Sequence, residues 1–282
     1  LEISLHNIDT IEELIKMSQL EQKVWGTSPV PIHQTITAAK NGGIVIGAYA
    51  GERLIGFVYS FPGYKNGEVY LCSHMLGIDQ EFRNHGIGYR LKMKQAEEAL
   101  KLGYRKIRWT YDPLESRNGN LNIAKLGAIC SEYIENCYGE MDDELNKHLP
   151  SDRFNVEWLV GSPYLDYRHR LFANLKLVPE SVLLDWKERE NGDPEAVWKS
   201  YRWEMFRNQP LLFVPVPINF QELKEKDYGL ALDWRYKTRE VFVGLFAEGW
   251  AVAHVYRQAN EPVQYYVLIK RNQLPLQGGS IS

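Results

Sequence analysis

Val69-Tyr-Leu-Cys-Ser-His-Met-Leu-Gly-Ile78, followed by Asp79-Gln-Glu-Phe-Arg83-Asn-His-Gly86-Ile-Gly88, is the stretch whose reading decides the fold. The first ten residues read as a strand and the next ten as a polar turn. A helix from Tyr89 to Leu102 follows, closed by Gly103, a residue that accepts the left-handed geometry of a helix C-terminus. Met93, Ala96, Ala99 and Leu100 recur at helical spacing and predict its buried stripe, with lysines and glutamates on the opposite face.

The chemistry lies in the turn. Arg83-x-x-Gly86-x-Gly88 puts small residues where a helix begins, so the first N–H groups lack intrahelical partners. With the positive end of the helix dipole they make a receptor for an anion, most simply a pyrophosphate. Glycines allow close approach and Arg83 adds a charged fork. G-x-G-x-x-G is absent, and no Gly-Lys-Ser/Thr follows, so neither a dinucleotide fingerprint nor a P-loop is present. The residues alone also allow a strand-to-helix turn with no ligand.

Composition sets the outer bounds. The 282 residues fit one large or two modest domains, at about 150 residues per domain. With 44% hydrophobic and 12% aromatic residues a packed core is expected. A net charge of −3 argues against a dominant electrostatic interaction with nucleic acid. Cys72, Cys130 and Cys137 form no Cys-x-x-Cys pair and read as buried free thiols of a reducing compartment. No apolar run approaches the ~18 residues of a membrane helix, and no signal-peptide pattern opens the chain, so a cytoplasmic location without membrane contact is expected. No function is attached to Gln277-Gly-Gly-Ser-Ile-Ser282. No metal-ligand or Ser/His/Asp spacing is present, and no metal is expected.

Working outward, Asp9-Thr-Ile-Glu12 predicts a capping box and a helix to about Val24, broken by Trp25-Gly-Thr-Ser-Pro-Val-Pro31. A second helix is expected over Ile32–Asn41, then a hairpin of Ile44–Ala50 and Leu54–Phe61 about Gly51-Glu52. Pro62–Gly67 reads as a loop. Beyond the central helix, Arg105–Tyr111 alternates, with Ile107, Trp109 and Tyr111 on one face. An asparagine-rich helix start follows Asp112, then a strand over Ala128–Tyr138, a polar connector over Met141–Ser151 and a strand over Phe154–Val160. Tyr164–Leu175 reads as helix and loop, its Arg168-His169-Arg170 cluster a solvated face. Phe213–Ile218 is extended because of its prolines. Asn219-Phe-Gln-Glu222 predicts another capping box, opening a long helix with Leu230, Trp234, Val241 and Leu245 on one face, ended near Gly249. Two strands close the chain, Trp250–Tyr256 and Val263–Ile269.

Leu76-Gly77-Ile78 with Arg83-Asn84-His85-Gly86-Ile87-Gly88 resembles motif A of the GNAT superfamily of acyl-CoA-dependent N-acyltransferases. Asp112–Ala128 resembles that family's second motif, with Asn118, Asn122 and Lys125-Leu126-Gly127. The resemblance implies an α/β (α+β) GNAT fold, a mixed, mostly antiparallel sheet flanked by helices. It implies pyrophosphate contacts from residues 83–88, His85 included, and a cofactor-binding strand end at Leu76, Gly77 and Ile78. A backbone N–H near Leu76 would meet the oxyanion, by resemblance to the family's bulged fourth strand. Asn118 and Asn122 would meet the pantetheine amides, though Asn118 reads equally well as a helix cap. The co-substrate that the resemblance implies is acetyl-CoA or another acyl-CoA.

His74, beside that bulge and with an ordinary pKa near ~6.5, is the proposed general base, against the reading of a satisfied core histidine. Asp112 is the second choice. Many members carry a tyrosine four residues before the motif glycine to protonate the thiolate; here Ile123 stands there, and Tyr133 and Tyr138 are candidate substitutes. Trp25 would lie over the acceptor pocket, or simply pack.

Trp109-Thr-Tyr-Asp-Pro-Leu114, Leu126-Gly-Ala128 and the long C-terminal part further resemble a bacterial subgroup of acetyltransferases, some of which transfer succinyl to amino acids. The expected organisation is a GNAT domain over 1–161, a connecting segment over 162–212 and a C-terminal α/β half-domain over 213–282. The expected function is transfer of an acetyl or succinyl group from acyl-CoA to a small-molecule amine, with room for a homodimer. The alternative is a CoA-binding module without turnover.

Overall fold

The computed structural model describes residues 2–139, 149–199, 206 and 209–276. The chain divides into two compact units, Leu1–Trp109 with Trp158–Gly161, and Thr110–Glu157 with Ser162–Ser282. Each carries antiparallel strands flanked by helices, the expected α/β class with a mixed, mostly antiparallel sheet.

In the first unit the order along the sheet is β1 (Ser4–Asn7), β2 (Ile44–Ala50), β3 (Arg53–Lys65), β4 (Glu68–Ile78) and β5 (Ile107–Tyr111). The division between units falls inside β5, after Trp109. Pairs from β1 to β4 are antiparallel, whereas β4 and β5 run parallel, Leu71 opposite Ile107 and Cys72 opposite Arg108. β1 was not expected: it is short and largely exposed, and backbone pairing with β2 carries it without an apolar pattern.

Helices α1 (Ile11–Trp25) and α2 (Ile32–Lys40) precede β2. The α1 cap sits one residue later than predicted. Thr10 accepts from the Glu13 N–H and its hydroxyl donates to the Glu13 carboxylate, so the box is Thr10 to Glu13. Leu14, Met17 and Leu20 of α1 pack with Val45, Tyr49, Phe57 and Tyr59 of the sheet. The expected loop Pro62–Gly67 is mostly strand. β3 continues to Lys65 and turns through Asn66 and Gly67, both at positive φ, a two-residue hairpin. Pro62 is tolerated because β2 pairs with β3 only as far as Ser60, leaving an edge.

Helix α3 (Ile87–Lys101) starts two residues earlier than predicted, and its buried face is also displaced. Ile87, Leu91, Gln95, Ala96 and Ala99 are inside, Met93 is 43% exposed, and Lys92 is buried. The stripe therefore runs along 87, 91, 95 and 99, and a lysine and a glutamine occupy positions that hydrophobicity alone assigns to solvent.

In the second unit the strands lie in the order β7 (Arg153–Trp158, whose last residue belongs to the first unit), β6 (Ile129–Ile134), β11 (Trp250–Tyr256), β12 (Val263–Lys270) and β10 (Leu212–Pro217). All these pairs are antiparallel. The prolines of β10 sit at the end of that order, where a ladder N–H is dispensable. Two further strands, β8 (Leu184–Glu188) and β9 (Pro194–Trp198), form a separate hairpin within the segment read as a connector.

Helix α4 (Ser116–Gly119) runs into a π-helical turn, Asn120–Lys125, and α5 is Pro163–Leu171. The predicted long helix is two: α6 (Phe220–Lys226) and α7 (Tyr228–Ala247). The Asn219 side chain makes no cap bond; Asp227 breaks the run and caps α7 by accepting from the Leu230 N–H at 2.9 Å. Leu230, Trp234, Val241 and Leu245 are buried as their spacing required, and Phe154, Phe242, Phe246 and Tyr266 form an aromatic core. β6 ends at Ile134, short of the predicted Tyr138, because Asn136 turns the chain at φ 45°. Most of the predicted connector Met141–Ser151 lies outside the described residues, as does the tail from Gln277.

Candidate active site

The first unit holds the anion receptor. At the end of β4, Asp79 is buried and accepts from Lys23 Nζ at 2.9 and 3.0 Å and from Arg53 Nη2 at 2.7 Å. Burial would raise its pKa, but the bonds from Lys23 and Arg53 hold it below the usual carboxylate value. The ionised side chain anchors the turn by accepting the Glu81 N–H. Beyond it Asn84 (φ 68°) and Gly86 (φ 72°) are both left-handed, swinging the backbone into α3. The first intrahelical bond joins the Arg90 N–H to the Gly86 carbonyl at 3.1 Å, so the N–H groups of Ile87, Gly88 and Tyr89 have no partner within the helix.

Around these donors Arg83 is exposed and makes no ion pair among the described residues. His85 Nδ1 lies 2.9 Å from the Arg83 carbonyl and 3.3 Å from that of Phe82, which selects the tautomer with the proton on Nδ1. His85 thus steadies the loop and keeps Nε2 outward.

Upstream, the β3–β4 register slips between Tyr59–Met75 and Ser60–Ser73, making His74 the extra residue of a bulge. The resemblance put the bulge beside His74, toward Leu76; the register puts it at His74 itself. A bulge re-aims its side chain, and here the imidazole reaches solvent while packing against Tyr59 (6.1 Å between centroids) and Phe61 (5.7 Å). Desolvation by these neighbours lowers its pKa, so it is neutral at pH 7. Leu76 pairs with Val58, Gly77 with Phe57 and Ile78 with Gly56. A Cβ on Gly77 would lie 2.7 Å from Phe57 and 3.1 Å from Trp25, so this glycine is required by packing. Trp25 meets Phe57 edge-on at 6.0 Å, which gives it a packing role.

A buried group escaped the sequence reading. Lys92 Nζ donates to Ser73 Oγ and to Gln95 Oε1, both at 2.9 Å, and stands 3.6 Å over the Trp109 ring. No carboxylate pairs with it among the described residues, and burial pushes its pKa well below the ordinary lysine value. It lies where the parallel β4–β5 ladder has just ended, one residue past Cys72 and Arg108. Only the helical phase of α3, fixed by the real start at Ile87, could have revealed it.

The second unit holds the other candidates. Asp112 Oδ1 accepts from the Leu114 N–H at 2.9 Å, and Oδ2 accepts from Arg235 and lies 3.9 Å from Arg153. Arg235 is 1% exposed, and its Nε and Nη1 find no partner among the described residues. Tyr138 is exposed; its hydroxyl is 2.7 Å from Thr110 Oγ1 and its ring lies under Arg153 at 5.4 Å. Arg153 thus joins Asp112 and Tyr138. Tyr133 is committed elsewhere: it donates to Asp152 at 2.7 Å, and burial drives its pKa well up.

Ile123 is fully buried within the π-helical turn, Asn122 is buried and Asn118 is exposed. Arg168 is not on a solvated face. It is buried and donates to the carbonyls of Ala124 and Lys125, each at 2.7 Å, closing the end of that turn. A Cβ on Gly127 would come within 2.6 Å of Arg168 Nε, which explains the glycine of Lys125-Leu126-Gly127.

Residues 8–127 match the model of the acetyltransferase (GNAT) family. This part of the chain belongs to the GNAT family. Solved structures with a related trace include a GNAT acetyltransferase from Streptococcus pneumoniae, at 16% identity and TM-score 0.47, covering 57% of this chain and 100% of that one. Others are the Escherichia coli ribosomal-protein-S18-alanine N-acetyltransferase, at 12%, 0.46, 56% and 94%, and Arabidopsis thaliana Naa50 with a bisubstrate analogue, at 18%, 0.45, 56% and 98%. No curated protein matches the chain.

Among the described residues no cluster of three or more His, Cys, Asp or Glu could hold a metal, and no helix is long and apolar enough to cross a membrane.

Proposed function

We propose that the chain moves an acyl group, acetyl or succinyl, from acyl-CoA to the amine of a small molecule such as an amino acid. The family domain would cover 1–161, followed by a connecting segment and a C-terminal half-domain from 213. The observation that carries this reading is the α3 N-terminus, where three N–H groups without a partner in the helix, two left-handed residues and an Arg83 with no ion pair among the described residues follow a bulged strand. Such an array suits a pyrophosphate.

In the reaction the amine nitrogen attacks the thioester carbonyl, the C–S bond breaks and the thiolate leaves. His74 takes the proton released by the amine; its lowered pKa keeps it neutral and ready at pH 7. By the family resemblance a backbone N–H near Leu76 would meet the oxyanion, Asn118 and Asn122 the pantetheine, and Tyr138 would supply a proton to the thiolate. Asp112, with both oxygens engaged, ranks behind His74 as base.

A second reading, a CoA-binding module without turnover, draws on buried Ile123 at the position where the family commonly has tyrosine. Thermal-shift titration of wild type and Gly86→Glu with CoA, acetyl-CoA and succinyl-CoA tests both. Wild type should be stabilised by mass action and the variant should not, because its carboxylate repels the pyrophosphate. No shift with any of the three would sink the acyl-CoA reading; a shift without turnover on an amine panel would favour the second.

A further inference from the structure

The second unit contains a cavity of about 390 Å³ that no part of the acyl-transfer reading uses. Its walls are the β8–β9 turn, the end of β10 with the start of α6, and the connection from β11 to β12. That volume is within the range of small-molecule sites. The walls are held without a ligand: the Ile218 N–H donates to the Pro262 carbonyl at 2.9 Å, and Trp234 Nε1 donates to the Pro194 carbonyl at 2.8 Å. Pro194, Pro217 and Pro262 stiffen the lining further.

Charges of both signs face this space. Asp193, Glu222 and Glu261 are the acids, Lys226 and Arg257 the bases. Lys226 is shared between two carboxylates, 2.7 Å from Glu222 and 3.9 Å from Asp193. Glu261 receives the Tyr265 hydroxyl on Oε2, at 2.8 Å, and no cation pairs with it among the described residues. Arg257 makes no hydrogen bond or ion pair among them. The cavity therefore presents an uncommitted guanidinium and an unneutralised carboxylate that do not reach each other. A simple anion would face three carboxylates. A metal ion would face two cations, and among the described residues no group of three or more His, Cys, Asp or Glu could hold one.

We propose that this cavity binds a small zwitterion of the free amino acid class, its carboxylate on Arg257 and its ammonium on Glu261 and Asp193. Bridging the guanidinium and the unneutralised carboxylate gives each a charge-assisted bond. None of the residues that line the cavity is among those assigned to acyl-CoA, and the proposal does not depend on that assignment.

The test is calorimetric and thermal-shift titration of the full chain with the twenty standard amino acids at millimolar concentration, with acetate and methylamine as single-charge controls. At least one amino acid should bind while both controls fail. Arg257→Gln and Glu261→Gln, both at the rim, should each weaken that binding about tenfold to a hundredfold. Both should leave the acyl-CoA-induced shift intact. Absence of binding by every amino acid overturns the proposal, as does binding that survives both substitutions, which would put the ligand elsewhere, including at an acceptor site. Loss of the acyl-CoA shift in Gly86→Glu bears only on the acyl-transfer reading.

Discussion

The α3 N-terminus and the Asp112–Arg235 cluster are both charged, and they are built on opposite principles. At the helix start the donors are backbone N–H groups with no intrahelical partner, and the nearby Arg83 is uncommitted. Around Asp112 the charges are consumed by one another. Asp112 takes Leu114 and Arg235, while Asp152 takes Arg239 through two bonds of 2.7 Å and also receives Tyr133. A region of the first kind is available to a ligand; one of the second kind holds architecture. The contrast teaches that charge density alone does not mark a site: what matters is how much of the charge the fold has already used.

The largest effect expected from breaking this contrast is at Asp112. Asp112→Ala leaves Arg235 with no carboxylate in a buried position and frees the Leu114 N–H, and losing one partner of a buried pair costs about 3–5 kcal/mol. The denaturation midpoint should fall accordingly, with the change measured by urea unfolding. An effect below about 1 kcal/mol would mean that the cluster is solvated and its pairing unimportant.

The two motif glycines sharpen the comparison next. Gly86 and Gly127 share almost the same backbone angle, φ 72° and 77°. A Cβ on Gly86 meets nothing within 4 Å, whereas on Gly127 it would strike Arg168 at 2.6 Å. Gly86→Ala should therefore cost only the left-handed conformation, about 1–2 kcal/mol, and weaken CoA binding. Gly127→Ala should lose that amount and the Arg168 clamp on Ala124 and Lys125 besides, about 1–3 kcal/mol more. Equal losses of stability in the two variants would refute the distinction.

These same elements show what was legible in the sequence. The strand, turn and helix at 69–103 could be read because glycine placement and apolar runs report local backbone geometry directly. The loop residues follow from that geometry, whereas His74 follows only from the family resemblance, which puts a bulge beside it. The phase of α3 was misread because Met93 looked apolar and Lys92 charged, while the helix actually begins at Ile87 and buries Lys92 instead. Arg168 and Arg235 were invisible for a related reason. Their partners are backbone carbonyls 43 and 44 residues away and a carboxylate 123 residues away, and no local pattern encodes such contacts. The β1 edge and the β8–β9 hairpin depend on backbone pairing more than on side-chain periodicity, so they too escaped.

Lys92 lies between the two principles, since its hydrogen bonds are satisfied but its charge is not. Folding carries it from water, with a pKa near ~10.4, to a site that pushes the value well below that. Between the folded and unfolded values the unfolded chain holds a proton that the folded chain does not, so stability rises with pH across that interval. Above the unfolded value both states are neutral and the penalty vanishes. Lys92→Met keeps the apolar stem and a favourable contact with Trp109, and the 3.0 Å bond from Gln95 to Ser73 remains. The variant should melt about 2–4 °C above wild type at pH 7, equivalent to about 1 kcal/mol. That advantage should shrink steadily as the pH rises toward and past ~10.4, above which the wild-type lysine enters the folded state without giving up a proton. A pH-independent difference would show that Lys92 stays charged in the folded protein, its ammonium carried by the Trp109 face.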